Sequence, residues 1–182
     1  MKIYFDTEFT GLHKNTTLIS IGCISEDNKI FYAELTDYDK NQVDNWIYKN
    51  VISNLDNNPN KSFDPSNMQV KGDLNYVKNM FKTWLIQFGK EKIQFVSDVS
   101  HYDFVLLIDI FGTAFDLPNN INSSCHDINQ DLAKIFNISE KKAFDLNREE
   151  IAGISEVKAK HNSLFDAKVI KTIVEKYKID IR

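Results

Sequence analysis

Residues 2–9 alternate along the chain, and Ile3 and Phe5 point away from Asp6 and Glu8. Two more segments rich in β-formers, 18–25 and 29–35, flank Glu26-Asp27-Asn28, which reads as a hairpin turn. The opening therefore predicts a three-stranded antiparallel meander. Residues 36–75 break the pattern. They form a polar insertion with a predicted helix over 43–52. A turn-rich stretch over 56–72 follows, containing Pro59 and Pro65 and read as a mobile loop. From residue 75 the period becomes helical, with Val77, Phe81, Trp84, Leu85 and Phe88 on one stripe. A short apolar run, Ile93 to Val96, predicts a buried strand. Further on, the pattern predicts a helix over 103–115 that stops before Leu117-Pro118, a short strand near Ser124, and helices over 129–136 and 164–177. A hairpin block followed by alternating strand and helix predicts an α/β fold, with a mixed sheet and helices on its faces.

Composition narrows this reading only a little. The 182 residues suit a single domain, and the 42% hydrophobic and 26% charged fractions are ordinary for a globular protein. The sequence contains no apolar run of membrane-spanning length and no signal-peptide core at its start, so a cytoplasmic protein is expected. Cys23 and Cys125 fall in predicted strands without metal-ligand spacing and are expected to be free thiols. The formal net charge of −4 argues against a long wrapped duplex, because extended phosphate contact draws on Lys and Arg. It permits a short contact with a strand end when cations offset an acidic pocket.

The chemistry sits in three segments far apart in sequence: Phe5-Asp6-Thr7-Glu8-Phe9-Thr10-Gly11-Leu12, Ser100-His101-Tyr102-Asp103, and His161 to Asp166. On a strand, positions i and i+2 share a face, so Asp6 and Glu8 stand side by side, roughly 6.6 Å apart. Asp103 falls on the inward stripe of its helix with Leu106, Leu107 and Ile110, although an aspartate there can also serve as an N-cap. Asp98 and Asp109 compete for the same role. Asp166 lies on the stripe of Ile170, Ile173 and Val174, while Ser163-Leu164-Phe165-Asp166 also fits a capping box. Three inward-facing acidic sites at the ends of core elements are costly without a cation.

In order and spacing, Asp6-x-Glu8-x-Thr10-Gly11-Leu12, Tyr102-Asp103, and His161 with Asp166 five residues later resemble the three motifs of the DEDDh 3′–5′ exonuclease family. The chain looks most like its small bacterial and phage AS-type exoribonucleases, through the Phe5 to Phe9 opening and the Trp46 to Val51 segment. Where many members have Thr-Thr-Gly it has Phe9-Thr10-Gly11, and His101-Tyr102 precede Asp103. The resemblance implies an RNase H-like fold and a single exonuclease domain over 1–182. It also implies two divalent ions, Mg²⁺ or Mn²⁺, in keeping with oxygen-only ligands. Asp6, Glu8 and Asp166 would hold one ion. Asp6 would bridge to the second, with Asp103 holding that ion directly or through water. His161 would take the proton of the attacking water. The backbone of Thr7 to Thr10 would hold the terminal 3′-OH, and Phe9 and Leu12 would stack on or wedge the end bases, unless they serve as core packing. The expected substrate is a single-stranded RNA 3′ end, with DNA as the alternative, and a homodimer through the 36–75 insertion is compatible with this. The competing readings are a hydrolase of small phosphodiesters using the same site, and a non-catalytic module that binds RNA ends.

Overall fold

A computed structural model describes residues 1–56, 62–155 and 161–181. Seven strands form one mixed sheet in the order β4-β5-β3-β2-β1-β6-β7. Three of them, β1 (Lys2–Phe9), β2 (Leu18–Ser25) and β3 (Ile30–Leu35), are the antiparallel meander read from the sequence. β2 is buried at every position, because the sheet is covered on both faces. Parallel strands extend the meander on either side: β6 (Gln94–Ser97) pairs with β1, and β5 (Asn67–Gly72) pairs with β3. Two-residue strands close the edges, β4 (Phe63–Asp64) on one side and β7 (His126–Asp127) on the other.

The alternation in β1 divides the core. Ile3 and Phe5 pack under α2 (Leu74–Ile86) and α3 (Ser100–Phe111), with Phe81, Trp84, Phe95 and Leu107. Tyr4 faces the opposite layer, where α4 (Ile128–Ile135) and α7 (Ser163–Tyr177) bring Leu132, Ile170 and Ile173 against it. Three short helices complete the chain: α1 (Asn45–Asn50), α5 (Glu140–Phe144) and α6 (Arg148–Ala152).

Several expectations need correction. The 56–72 stretch is not a loop throughout: Met68 and Val70 are buried on alternate positions of β5, which adds to the sheet beside β3. Its Asn, Pro and Lys content hid a period-two pattern. Residues 57–61, with Pro59, lie outside the described residues. The helix predicted over 43–52 covers only Asn45–Asn50, with a separate 3₁₀ turn at Ile52–Asn54. The helix predicted over 103–115 starts at Ser100 and ends at Phe111, where Gly112 adopts φ 113°, a conformation that suits glycine. The strand expected near Ser124 forms at His126–Asp127, so Cys125 immediately precedes it. Both cysteines are free thiols. Among the described residues, no helix is long and apolar enough to cross a membrane.

Candidate active site

Because β1 and β6 run parallel, their carboxyl ends lie side by side, and the turn into α3 follows β6 directly. Ligand sites of open α/β sheets form at such strand ends. The end of β1 carries Asp6 and Glu8, both half-buried, on the face that α7 covers. A bulge directly after Glu8 breaks the β1–β2 register.

Asp103 is 1% exposed and sits within the first turn of α3. It is not the N-cap; Val99 holds that position and makes no side-chain capping bond. Thr7 donates its hydroxyl to Asp103 Oδ1 at 2.6 Å, and Ser97 donates to Oδ2. Thr7, the residue between the two β1 acids, therefore ties that strand to α3.

Asp166 and His161 are brought in by the start of α7. Its N-cap is Asn162, which accepts the Phe165 N–H at 3.2 Å, so the capping box suggested by Ser163 and Asp166 does not form. Ser163 is instead buried, with its hydroxyl 3.0 Å from that of Ser20 on β2. Gly22, opposite Asp6 on β2, leaves space for the first turn of α7 to rest on the strand backbone. Together these contacts put Asp166 beside β1. His161 precedes the helix with φ 61°, a left-handed conformation unusual for histidine, and its ring meets Trp46 edge-on at 5.2 Å.

The result is two acidic groups sharing one residue. One oxygen each from Asp6, Glu8 and Asp166 lie within 4.8 Å of one another, and so do one each from Asp6, Asp98 and Asp103. Asp6, Glu8, Asp98 and Asp166 line a cleft of about 520 Å³ that also holds His161 and Arg148, while Asp103 is buried beneath it. Burial is the largest cause that pushes the Asp6 carboxyl well above the usual carboxylate range, followed by the charges of Asp103, Asp166, Glu8 and Asp98. Glu8 is pushed up to about 9 by burial and then by Asp166 and Asp103. Burial raises Asp103 to about 7, against the lowering pull of the Ser97 and Thr7 hydroxyls. A set of close, half-desolvated carboxylates is stable only with bound protons or a bound cation, and its oxygens suit a hard divalent ion such as Mg²⁺ or Mn²⁺.

The remaining candidates lie around this centre. A second groove, of about 430 Å³, shares Glu8 with the cleft and is lined by Phe9, Leu12, Trp46 and Val51. Leu12 and Trp46 are exposed there, at 75% and 55%. The ring of Phe9 stacks on Tyr102 at 5.3 Å. Thr10 is buried, and its hydroxyl is engaged by Gln42, Thr16 and Thr17. Asp109 is exposed on the outer side of α3. The sequence reading overlooked Arg148, which donates from Nε to Asp98 Oδ2 at 2.7 Å. Its signal is rarity: it is one of two arginines in a lysine-rich chain, and a forked donor does what a lysine cannot.

No family model matches the chain. Over 130 residues it is 28% identical to the 3′-5′ exoribonuclease Rv2179c of Mycobacterium tuberculosis strain H37Rv, covering 71% of this chain and 73% of that protein. The counterpart in strain CDC 1551 matches equally. Among solved structures, the nuclease domain of 3′hExo, a DEDDh family member bound to rAMP, superposes with a TM-score of 0.64 at 12% identity, over 100% of this chain and 94% of that one. A 3′-exonuclease in specific recognition of the histone mRNA stem-loop superposes with a TM-score of 0.59 at 11% identity, over 97% and 63%. The chain thus has the RNase H-like fold of these nuclease structures, and its three motifs resemble those of the DEDDh 3′–5′ exonucleases.

Proposed function

We propose that the protein is a metal-dependent 3′–5′ exoribonuclease that removes nucleoside 5′-monophosphates from single-stranded 3′ ends. The observation that carries this reading is the pair of acid groups sharing Asp6, four of whose five carboxylates line one cleft. Asp6, Glu8 and Asp166 would hold one Mg²⁺ or Mn²⁺, and the side of Asp6 facing Asp103 and Asp98 would hold the second. Bound there, such ions offset the charge of the scissile phosphate and lower the pKa of an attacking water.

The chain's own groups do the rest. His161, in the same cleft as Asp166, takes the proton of the attacking water as general base. Imidazole is the side chain whose chemistry suits a general base at neutral pH. Thr7 and Ser97 fix Asp103, and the Ser20–Ser163 contact fixes the helix that carries Asp166. The apolar groove next to Glu8 suits the end bases of a strand. Leu12 and Trp46 offer apolar and π surfaces that accept any base, as exonucleolytic degradation requires. RNA rather than DNA is favoured by the activity named for the mycobacterial relatives, and the rAMP bound to the 3′hExo domain is a product of the expected kind.

The test is cleavage of 5′-labelled single-stranded RNA and of matched DNA in Mg²⁺, Mn²⁺ or EDTA. A metal-dependent ladder that shrinks from the 3′ end, faster on RNA, is expected. Activity that persists in EDTA, or cleavage confined to dinucleotides, would overturn the reading.

A further inference from the structure

The acids around the second cation position do not present equivalent oxygens. Asp103 accepts a hydroxyl on each of its two oxygens, from Thr7 and from Ser97, and at 1% exposure has little room for a hydrated ion. Asp98, in the turn between β6 and α3, is arranged differently. Arg148 Nε donates to its Oδ2 at 2.7 Å, while Oδ1 accepts no hydrogen bond among the described residues. One Asp98 oxygen lies within 4.8 Å of oxygens of both Asp6 and Asp103.

Asp98 is also held in place from several directions. The Arg148 guanidinium bonds the Ala143 carbonyl at 2.9 Å and the Asn129 side chain, and Asn129 in turn donates to the Asp98 backbone carbonyl. A half-buried carboxylate gripped through one oxygen by an anchored guanidinium keeps a fixed direction, and its other oxygen stays available to a ligand. Helix-capping does not account for it, because Val99 is the N-cap of α3.

We propose that Asp98, rather than Asp103, is the direct carboxylate ligand of the second divalent cation beside the shared Asp6. Arg148 is then the positioning residue that aims Asp98, and Asp103 acts through its hydrogen bonds to β1 and β6. The assignment rests on the nuclease reading of this cleft. It adds a fifth acid to the four expected from the motifs, and it links the α5–α6 segment to the metal centre.

The test is a calorimetric titration of metal-free protein with Mn²⁺, run without substrate. Wild type should bind two ions. Asp98→Asn should weaken the second binding event roughly tenfold or more and spare the first, an effect of the size seen when groups around a metal are removed. Asp103→Asn should weaken it less. If Asp98→Asn is unfolded by circular dichroism, the paired variant Asp98→Asn with Arg148→Gln leaves no unpaired charge and should give the same loss. Two-ion binding that survives Asp98→Asn, or a larger loss in Asp103→Asn, overturns the assignment alone. Wild-type protein that binds no Mn²⁺ overturns it together with the nuclease reading.

Discussion

Replacing Gly22 by alanine tests how the sheet positions the helix that carries Asp166. The backbone of Gly22 is not left-handed, so alanine meets no conformational penalty and the whole effect comes from one added methyl group. That methyl would lie 2.2 Å from the Leu164 nitrogen and 2.4 Å from both Leu164 Cα and the Ser163 carbonyl carbon. These are backbone atoms and cannot rotate aside. To reach an ordinary contact of 3.4 Å, the first turn of α7 must retreat from β2 by about 1.2 Å. Overpacking of this kind costs about 1–3 kcal/mol, or a fall in Tm of roughly 2–12 °C at this chain length. The larger effect should be on the chemistry. The turn that moves lies between His161 and Asp166, and a misplacement of about 1 Å in a positioning element costs on the order of 10²-fold in rate. Thermal melts and single-turnover cleavage of labelled RNA would measure the two effects separately. A Gly22→Ala protein with wild-type melting and wild-type rate would show that α7 does not depend on this close approach, and the account of how His161 and Asp166 are placed would fail.

Three further outcomes follow from the same site. Asp6→Asn should abolish turnover yet stabilise the metal-free protein by about 1 kcal/mol, or roughly 2–4 °C, because it removes a buried charge shared by two acidic groups; a lower Tm in EDTA would contradict this. Glu8 and Asp103 carry folded-state pKa values of about 9 and about 7, above their ordinary range, so the folded protein binds more protons than the unfolded chain between about pH 4.5 and 9. Stability in EDTA should therefore fall as pH rises through that window, and saturating Mn²⁺ should flatten the slope; a flat profile without metal would refute the clustering argument. His161→Asn should cut the rate about 10²–10⁴-fold while Mn²⁺ binding measured by calorimetry survives, and loss of both together would make the histidine structural.

The sequence disclosed most where one short pattern was enough. The alternation of Ile3, Phe5, Asp6 and Glu8 placed two acids on one face of a central strand, and the helical stripes placed Asp103 and Asp166 inward. It disclosed less where two patterns competed. Residues 67–72 alternate as a strand should, but nearby Pro65 and several asparagines read as loop, and only pairing with β3 settles the matter. Ser163 and Asp166 have the spacing of a capping box, yet Ser20 on β2 takes the serine and Asn162 caps the helix. Asp98 and Asp103 pose the same problem at the site itself. From sequence, one ends a strand and the other opens a helical stripe, which favours Asp103. What separates them is which oxygens are already engaged, and that depends on Thr7, 96 residues from Asp103, and on Arg148, 50 residues from Asp98. Local periodicity reports which face a side chain occupies. It carries no information on whether a donor from a distant element has reached that side chain first, and for a metal ligand this decides the role.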